Sequence, residues 1–179
     1  MHLRGWQQKI IDSYPEIIKQ NRRFILKAPT GAGKTVLARE IVDRFYKGKK
    51  VIVLCHRLVL LEQLERALKV SHNVKKLAVS DTGPAFEGYD LLLSTSMRAK
   101  EVLADAILKA DLIIVDEAHR VSPIGRGYKR IIDEFQEHGK STAQFMGLTA
   151  SPERRTGDQR DQLNLAFDAI IDCANIEDL

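Results

Sequence analysis

The octapeptide Ala28-Pro29-Thr30-Gly31-Ala32-Gly33-Lys34-Thr35 stands between two unlike patterns. Before it, Phe24-Ile25-Leu26 is an apolar run that predicts a buried strand. After it, Val36, Leu37, Ile41, Val42 and Phe45 recur at three- and four-residue spacing, which predicts a helix. A strand, a glycine-containing turn and a helix are what a nucleotide phosphate chain needs. Gly31 and Gly33 admit backbone angles closed to residues with a Cβ, so successive N–H groups can point inward as an anion nest. The helix start adds its dipole and its unpaired donors. Lys34 supplies a mobile charge for the β- and γ-phosphates, and the Thr35 hydroxyl can ligate Mg²⁺. The pattern G-x-x-x-x-G-K-[ST] asks for glycine at position 28, where this chain has Ala28.

Working outward, further apolar runs predict strands at Val51–Leu54, Leu77–Val79, Leu91–Leu93, Leu112–Val115 and Phe145–Leu148. Helical patterns lie between several of them, at Thr35–Tyr46, Leu58–Val70, Met97–Leu108 and Tyr128–Phe135. An amphipathic stripe from Trp6 to Ile18 precedes the first strand, with Pro15 as a potential interruption. Continuous apolar strands alternating with helices predict an α/β fold: a mostly parallel sheet with helices on both faces. Ligand chemistry then belongs at the carboxyl ends of the strands.

Composition narrows the class. A chain of 179 residues, 44% hydrophobic and 29% charged, can bury one real core and is not of disordered type. The net charge of +4, from 28 basic and 24 acidic residues, leans mildly towards a polyanionic partner. Cys55 and Cys173 are far apart and form no C-x-x-C, which excludes a zinc or disulfide framework. No apolar run reaches membrane-span length and no signal-peptide core follows Met1. A soluble cytoplasmic protein without a membrane partner is expected, or a nucleoid-associated one in a bacterium or phage.

Leu112-Ile113-Ile114-Val115-Asp116-Glu117-Ala118-His119 is an apolar strand ending in two acids. At that strand tip Asp116 can hold Mg²⁺ beside Thr35, and Glu117 is placed to orient and deprotonate an attacking water. With the phosphate loop in the same chain, the pair points to nucleoside triphosphate hydrolysis, with Lys34, Asp116 and Glu117 as the catalytic set.

At Asp116 to His119 the chain resembles the superfamily 2 helicases and translocases, the DEAD/DEAH-box-like motors. The octapeptide is similar to their motif I, Asp116–His119 to motif II, and Gly147-Leu148-Thr149-Ala150-Ser151-Pro152 to motif III. The resemblance implies a RecA-like P-loop NTPase fold and ATP with Mg²⁺ as cofactors. It implies a nucleotide site made of Pro29, Thr30, Gly31, Ala32, Gly33, Lys34 and Thr35. Leu3-Arg4-Gly5-Trp6-Gln7 resembles an adenine-recognition motif, which implies that Gln7 reads the adenine edge with Arg4 assisting; Trp6 is read as a packing residue. Val53–Arg57 resembles motif Ia, placing His56 and Arg57 on nucleic-acid phosphates, although Arg57 is equally a helix-start surface charge. Ser94-Thr95-Ser96-Met97 resembles motif Ic, where Thr95 would touch the phosphate backbone or simply cap a helix. His119 would link the ATP site to Thr149 and Ser151. Within the superfamily the motifs most resemble the XPB-like and restriction-subunit-like DNA translocases, which implies DNA rather than RNA as partner.

Members of that family carry two RecA-like domains with ATP between them, and residues 1–179 are read as the first alone. The second would supply an arginine finger, worth about 10³–10⁵ in turnover. Arg154 and Arg155 are poor substitutes in cis. Two expectations follow: the ATP-binding domain of an ATP-dependent DNA helicase or translocase, or a half-motor that binds nucleotide or nucleic acid without efficient turnover. A P-loop kinase or GTPase is disfavoured by Asp116–His119, by Leu148–Ser151 and by the lack of an Asn-Lys-x-Asp run.

Overall fold

Seven strands pair in the order β3-β4-β2-β5-β6-β1-β7, and every pairing is parallel. This computed structural model describes residues 2–55, 58–69, 71–77, 86–95, 103–121, 142–151, 163 and 166–174. The elements are α1 (Gly5–Gln20), β1 (Arg23–Lys27), α2 (Lys34–Phe45), β2 (Val51–Cys55), α3 (Leu58–Leu68) and β3 (Val74–Lys76). They continue with β4 (Leu91–Thr95), α4 (Leu103–Lys109), β5 (Leu112–Asp116), a 3₁₀ turn (Ala118–Arg120), β6 (Gln144–Thr149) and β7 (Ala169–Asp172).

The two-residue period of a strand divides the apolar residues between two cores. Phe24 and Leu26 of β1, Val51 and Val53 of β2, and Leu112 and Ile114 of β5 face one side. There they meet Ile10 of α1, Leu37 and Ile41 of α2, and Leu61 and Leu64 of α3. Ile25, Ile52, Leu54, Ile113 and Val115 face the other side with Ala106 and Ile107 of α4, Ala166 and Phe167. Coverage on both faces explains why β2 and β4 are buried along their whole length. The α/β parallel architecture read from the sequence is borne out.

Three departures have physical causes. The third strand is Val74–Lys76, not Leu77–Val79; Leu77 only adds an N–H bond to the Leu93 carbonyl at 2.8 Å. As an edge strand it carries two lysines and shows no apolar run. Edge strand β7 is four residues of alternating exposure, too short and half-wet to stand out. Helix α1 runs through Pro15 despite a cost of about 3 kcal/mol for an interior proline. Burial of Trp6, Ile10, Ile11 and Tyr14 on its inner face outweighs that cost. The expected helix Tyr128–Phe135, the start of Met97–Leu108 and the charged run Pro152–Arg160 lie outside the described residues. No helix among the described residues is long and apolar enough to cross a membrane.

Tyr14 is the anchor of the α1 face. Its ring lies 4.9 Å from Phe45 and 6.2 Å from Phe24, and its hydroxyl is 3.1 Å from that of Tyr46. Burial pushes both phenols above their ordinary range, so they stay neutral and share one hydrogen bond. Both cysteines are reduced; Cys55 is buried in β2. Burial, and then the charge of Asp172, push the Cys173 thiol up to about 12. Ellman's reagent at about pH 8 should therefore find neither thiol in the folded protein and both after unfolding, because the thiolate is the nucleophile.

Candidate nucleotide site at the strand tips

The register of the sheet gathers the motif residues at one end. Lys27, the last residue of β1, pairs with Thr149 at the tip of β6. Leu148 pairs with Asp116 at the tip of β5, and Cys55 at the tip of β2 pairs with Thr95 at the tip of β4. Residues more than one hundred apart in sequence thus share one edge, at the carboxyl ends of parallel strands.

The phosphate loop continues β1. The Ala28 N–H donates to the Thr149 carbonyl at 3.0 Å, which keeps the chain in the ladder one residue longer. Ala28 is buried, and Glu117 is the only non-glycine with positive φ among the described residues. Position 28 therefore needs no glycine, which accounts for the departure from the pattern. Gly31 and Gly33 do: their φ values are +78° and +96°. Gly33 is the N-cap of α2, so the chain passes from a left-handed residue straight into a helix whose first N–H groups face the loop. Lys34 Nζ donates to the carbonyls of Ala28 and Pro29, each at 3.1 Å, and so lies across the loop. Pro29, Thr30 and Ala32 complete the cradle, with the Ala32 N–H bonded to the Pro29 carbonyl at 3.2 Å.

Thr35 and Asp116 line one cleft of about 310 Å³ between α2, α3 and the sheet. Burial, and then the neighbouring Glu117 carboxylate, push the Asp116 carboxyl above its usual range, and Lys34 partly opposes them. An ionised carboxylate there is electrostatically short of positive charge. One hydroxyl and one such carboxylate form a hard-oxygen donor set that fits Mg²⁺, which takes few protein ligands and completes its shell with water and phosphate oxygens. No larger group of His, Cys, Asp and Glu suited to a metal occurs among the described residues.

Glu117 sits in the left-handed region, at φ 55° and ψ 50°, with its N–H bonded to Asp116 Oδ1 at 3.0 Å. Its Oε2 is 3.1 Å from His119 Nδ1, and the same nitrogen is 3.0 Å from Thr149 Oγ1. Thr149 Oγ1 also accepts the Ser151 N–H at 3.3 Å. A carboxylate only accepts, so an Nδ1–H between these oxygens would give a continuous chain from Glu117 through His119 and Thr149 to Ser151.

Gln7 and Arg4 lie against the phosphate loop. Gln7 Nε2 donates to the Gly33 carbonyl at 3.0 Å, and an Arg4 guanidinium N–H donates to the Ala32 carbonyl at 3.3 Å. Trp6 is buried in the core, as its packing role implies. Thr95 is largely buried at the tip of β4, beside the residue that precedes His56. His56 and Arg57 themselves lie outside the described residues.

One functional position was absent from the sequence reading. An added Cβ on Gly147 would come within 2.6 Å of Ala118 Cβ and within 3.1 Å of Ile25 Cγ1 and Phe167 Cζ. The missing side chain lets the turn carrying His119 pack flat on β6. A lone glycine inside an apolar strand run is the signal that pointed there.

With this geometry in view, residues 1–154 match the family described as type III restriction enzyme, res subunit. The type I restriction enzyme EcoAI endonuclease subunit of Escherichia coli is 28% identical over 162 residues, which are 84% of this chain and 19% of that protein. The Pyrococcus furiosus Hef helicase domain superposes with a TM-score of 0.67 at 25% identity, covering 91% of this chain and 39% of that one. The Sulfolobus solfataricus SWI2/SNF2 ATPase core, solved in complex with dsDNA, gives 0.72 at 17% identity, with 94% and 36% covered. This last likeness shows the fold. The chain spans well under half of each of these proteins.

The Gly147 contact generates a prediction. Gly147→Ala should cost about 1–3 kcal/mol in chemical unfolding, the usual range for overpacking. It should also broaden or shift the NMR signals of Ala118 and His119 more than those of α1. Unchanged stability would show that the turn does not depend on that close contact.

Proposed function

This chain belongs to the type III restriction enzyme res-subunit family within the superfamily 2 helicases, and on that premise we propose that it is the ATP-binding domain of an ATP-dependent DNA translocase or helicase. The observation that carries the reading is the convergence of Thr35 and Asp116 on one cleft beneath a glycine-built phosphate loop. In this reading the N–H groups around Gly31 to Lys34 and the Lys34 ammonium hold the triphosphate. Thr35 and Asp116 hold Mg²⁺, which when bound supplies charge neutralisation of the phosphate oxygens. Glu117 orients a water and accepts its proton. That step requires Glu117 to leave its 3.1 Å contact with His119, so the chain through Thr149 to Ser151 would report the state of the site to the nucleic-acid side.

His56, Arg57 and Thr95 would line the nucleic-acid track at the tips of β2 and β4. The dsDNA with which the SWI2/SNF2 core was solved, together with the restriction-enzyme relative, supports DNA over RNA. A second RecA-like domain, in the same protein or in trans, would supply the arginine finger.

ATP turnover tests this directly. The chain alone should hydrolyse slowly, and adding a second RecA-like domain with double-stranded DNA should raise the rate by about 10³-fold or more. Lys34→Ala and Glu117→Gln should each abolish that gain. Robust turnover by the chain alone that survives Glu117→Gln would refute the assigned roles. Nucleotide binding that the second domain never converts into turnover would instead mark a binding module.

A further inference from the structure

Gln7 occupies a position that base recognition does not explain. It is 3% exposed, and both ends of its amide are engaged inside the protein. Its Oε1 accepts the Arg4 N–H at 2.9 Å, and Arg4 is the N-cap of α1. Gln7 is the third residue of that helix, so this is the reciprocal half of a capping box. The cap fixes which way the amide points: its oxygen must face the Arg4 N–H, and its nitrogen therefore faces the phosphate loop. There Nε2 donates to the Gly33 carbonyl at 3.0 Å. The same carbonyl accepts the Leu37 N–H at 3.1 Å, the first hydrogen bond of α2. Both lone pairs of the Gly33 oxygen are thus used, one by the helix that follows the loop and one by the helix that precedes β1. The fit is close, since an added Cβ on Gly33 would stand 2.7 Å from Gln7 Nε2.

We infer that Gln7 is a positioning residue for the phosphate loop, holding Gly33 in its left-handed conformation so that the start of α2 faces the triphosphate whatever base is attached. The inference rests on the nucleotide-site reading above and adds to it. The pin is independent of adenine: one N–H and one lone pair of the amide are already spent on protein before any base arrives. The residue therefore contributes to affinity through the phosphates. Its loss should be felt by a ligand that has no base at all.

The probe is inorganic tripolyphosphate with Mg²⁺, compared with ATP and GTP by calorimetry on the wild-type chain, Gln7→Met and Gln7→Ala, all held well below their melting temperatures. Gln7→Met keeps the apolar bulk and loses both hydrogen bonds. One lost hydrogen bond converts to about three- to tenfold in affinity. Tripolyphosphate and ATP should weaken by the same factor in that range, with the ATP-to-GTP ratio unchanged. A role confined to stability would lower the melting temperature and leave the affinity of the folded protein for tripolyphosphate intact, which would overturn the inference. A loss for ATP alone, with a changed ATP-to-GTP ratio, would also overturn it and make Gln7 a base reader while leaving the nucleotide site in place.

A reciprocal variant gives an independent check. Gly33→Ala meets both the left-handed strain and the Gln7 contact in the wild-type background. In the Gln7→Ala background it should cost less in tripolyphosphate affinity. Equal costs in both backgrounds would show the two residues uncoupled and overturn the inference. Failure of the wild-type chain to bind tripolyphosphate or ATP in a Lys34-dependent way would end the nucleotide-site reading and this inference together.

Discussion

The left-handed turn at Gly33 is the constraint on which the rest of the site depends. Strand β1 must end, reverse its hydrogen bonding and start a helix within a few residues, and only a residue without a Cβ does this at φ +96° with Gln7 pressed against it. Once the turn is made, the first N–H groups of α2 are left without helical partners and face the loop they follow. Lys34 lies across that loop on the carbonyls of Ala28 and Pro29. The anion site is therefore the unsatisfied hydrogen-bonding capacity of a helix start, held open by packing around it.

The sheet supplies the other half. Because all strands are parallel, their carboxyl ends lie on one side, and the register brings Asp116 beside Leu148 and Thr149 beside Lys27. Placing a half-buried Asp116 next to Glu117 is electrostatically costly, and the raised Asp116 carboxyl records that cost. Glu117 in turn is in a backbone conformation that non-glycine residues rarely adopt. Strain and like charge in one spot are tolerable where the surrounding structure over-determines them, here through Gly147, Ala118 and the His119 to Thr149 contact.

Most of the fold could be read from the chain because its central strands are buried on both faces and so show up as unbroken apolar runs. The phosphate loop and the Asp116–His119 segment were legible for a similar reason, since both fall where a strand pattern stops. The edges were not. Val74–Lys76 and Ala169–Asp172 have water on one side, so neither forms an apolar run. Gln7 was legible as a glutamine near the site but not as a helix cap, because the capping partner is the backbone of Arg4 and leaves no side-chain signature. The closeness of Gly147 to Ala118 is a tertiary contact that no local pattern encodes.

The most direct measurement is calorimetric binding of Mg²⁺·ATP to the chain, set against Lys34→Ala. A site built as described binds one nucleotide per chain, and removing the ammonium should weaken it by about tenfold or more, the scale of a lost charge-assisted hydrogen bond. Equal affinity in the two proteins would contradict the account, because it would place the nucleotide somewhere other than the loop between β1 and α2.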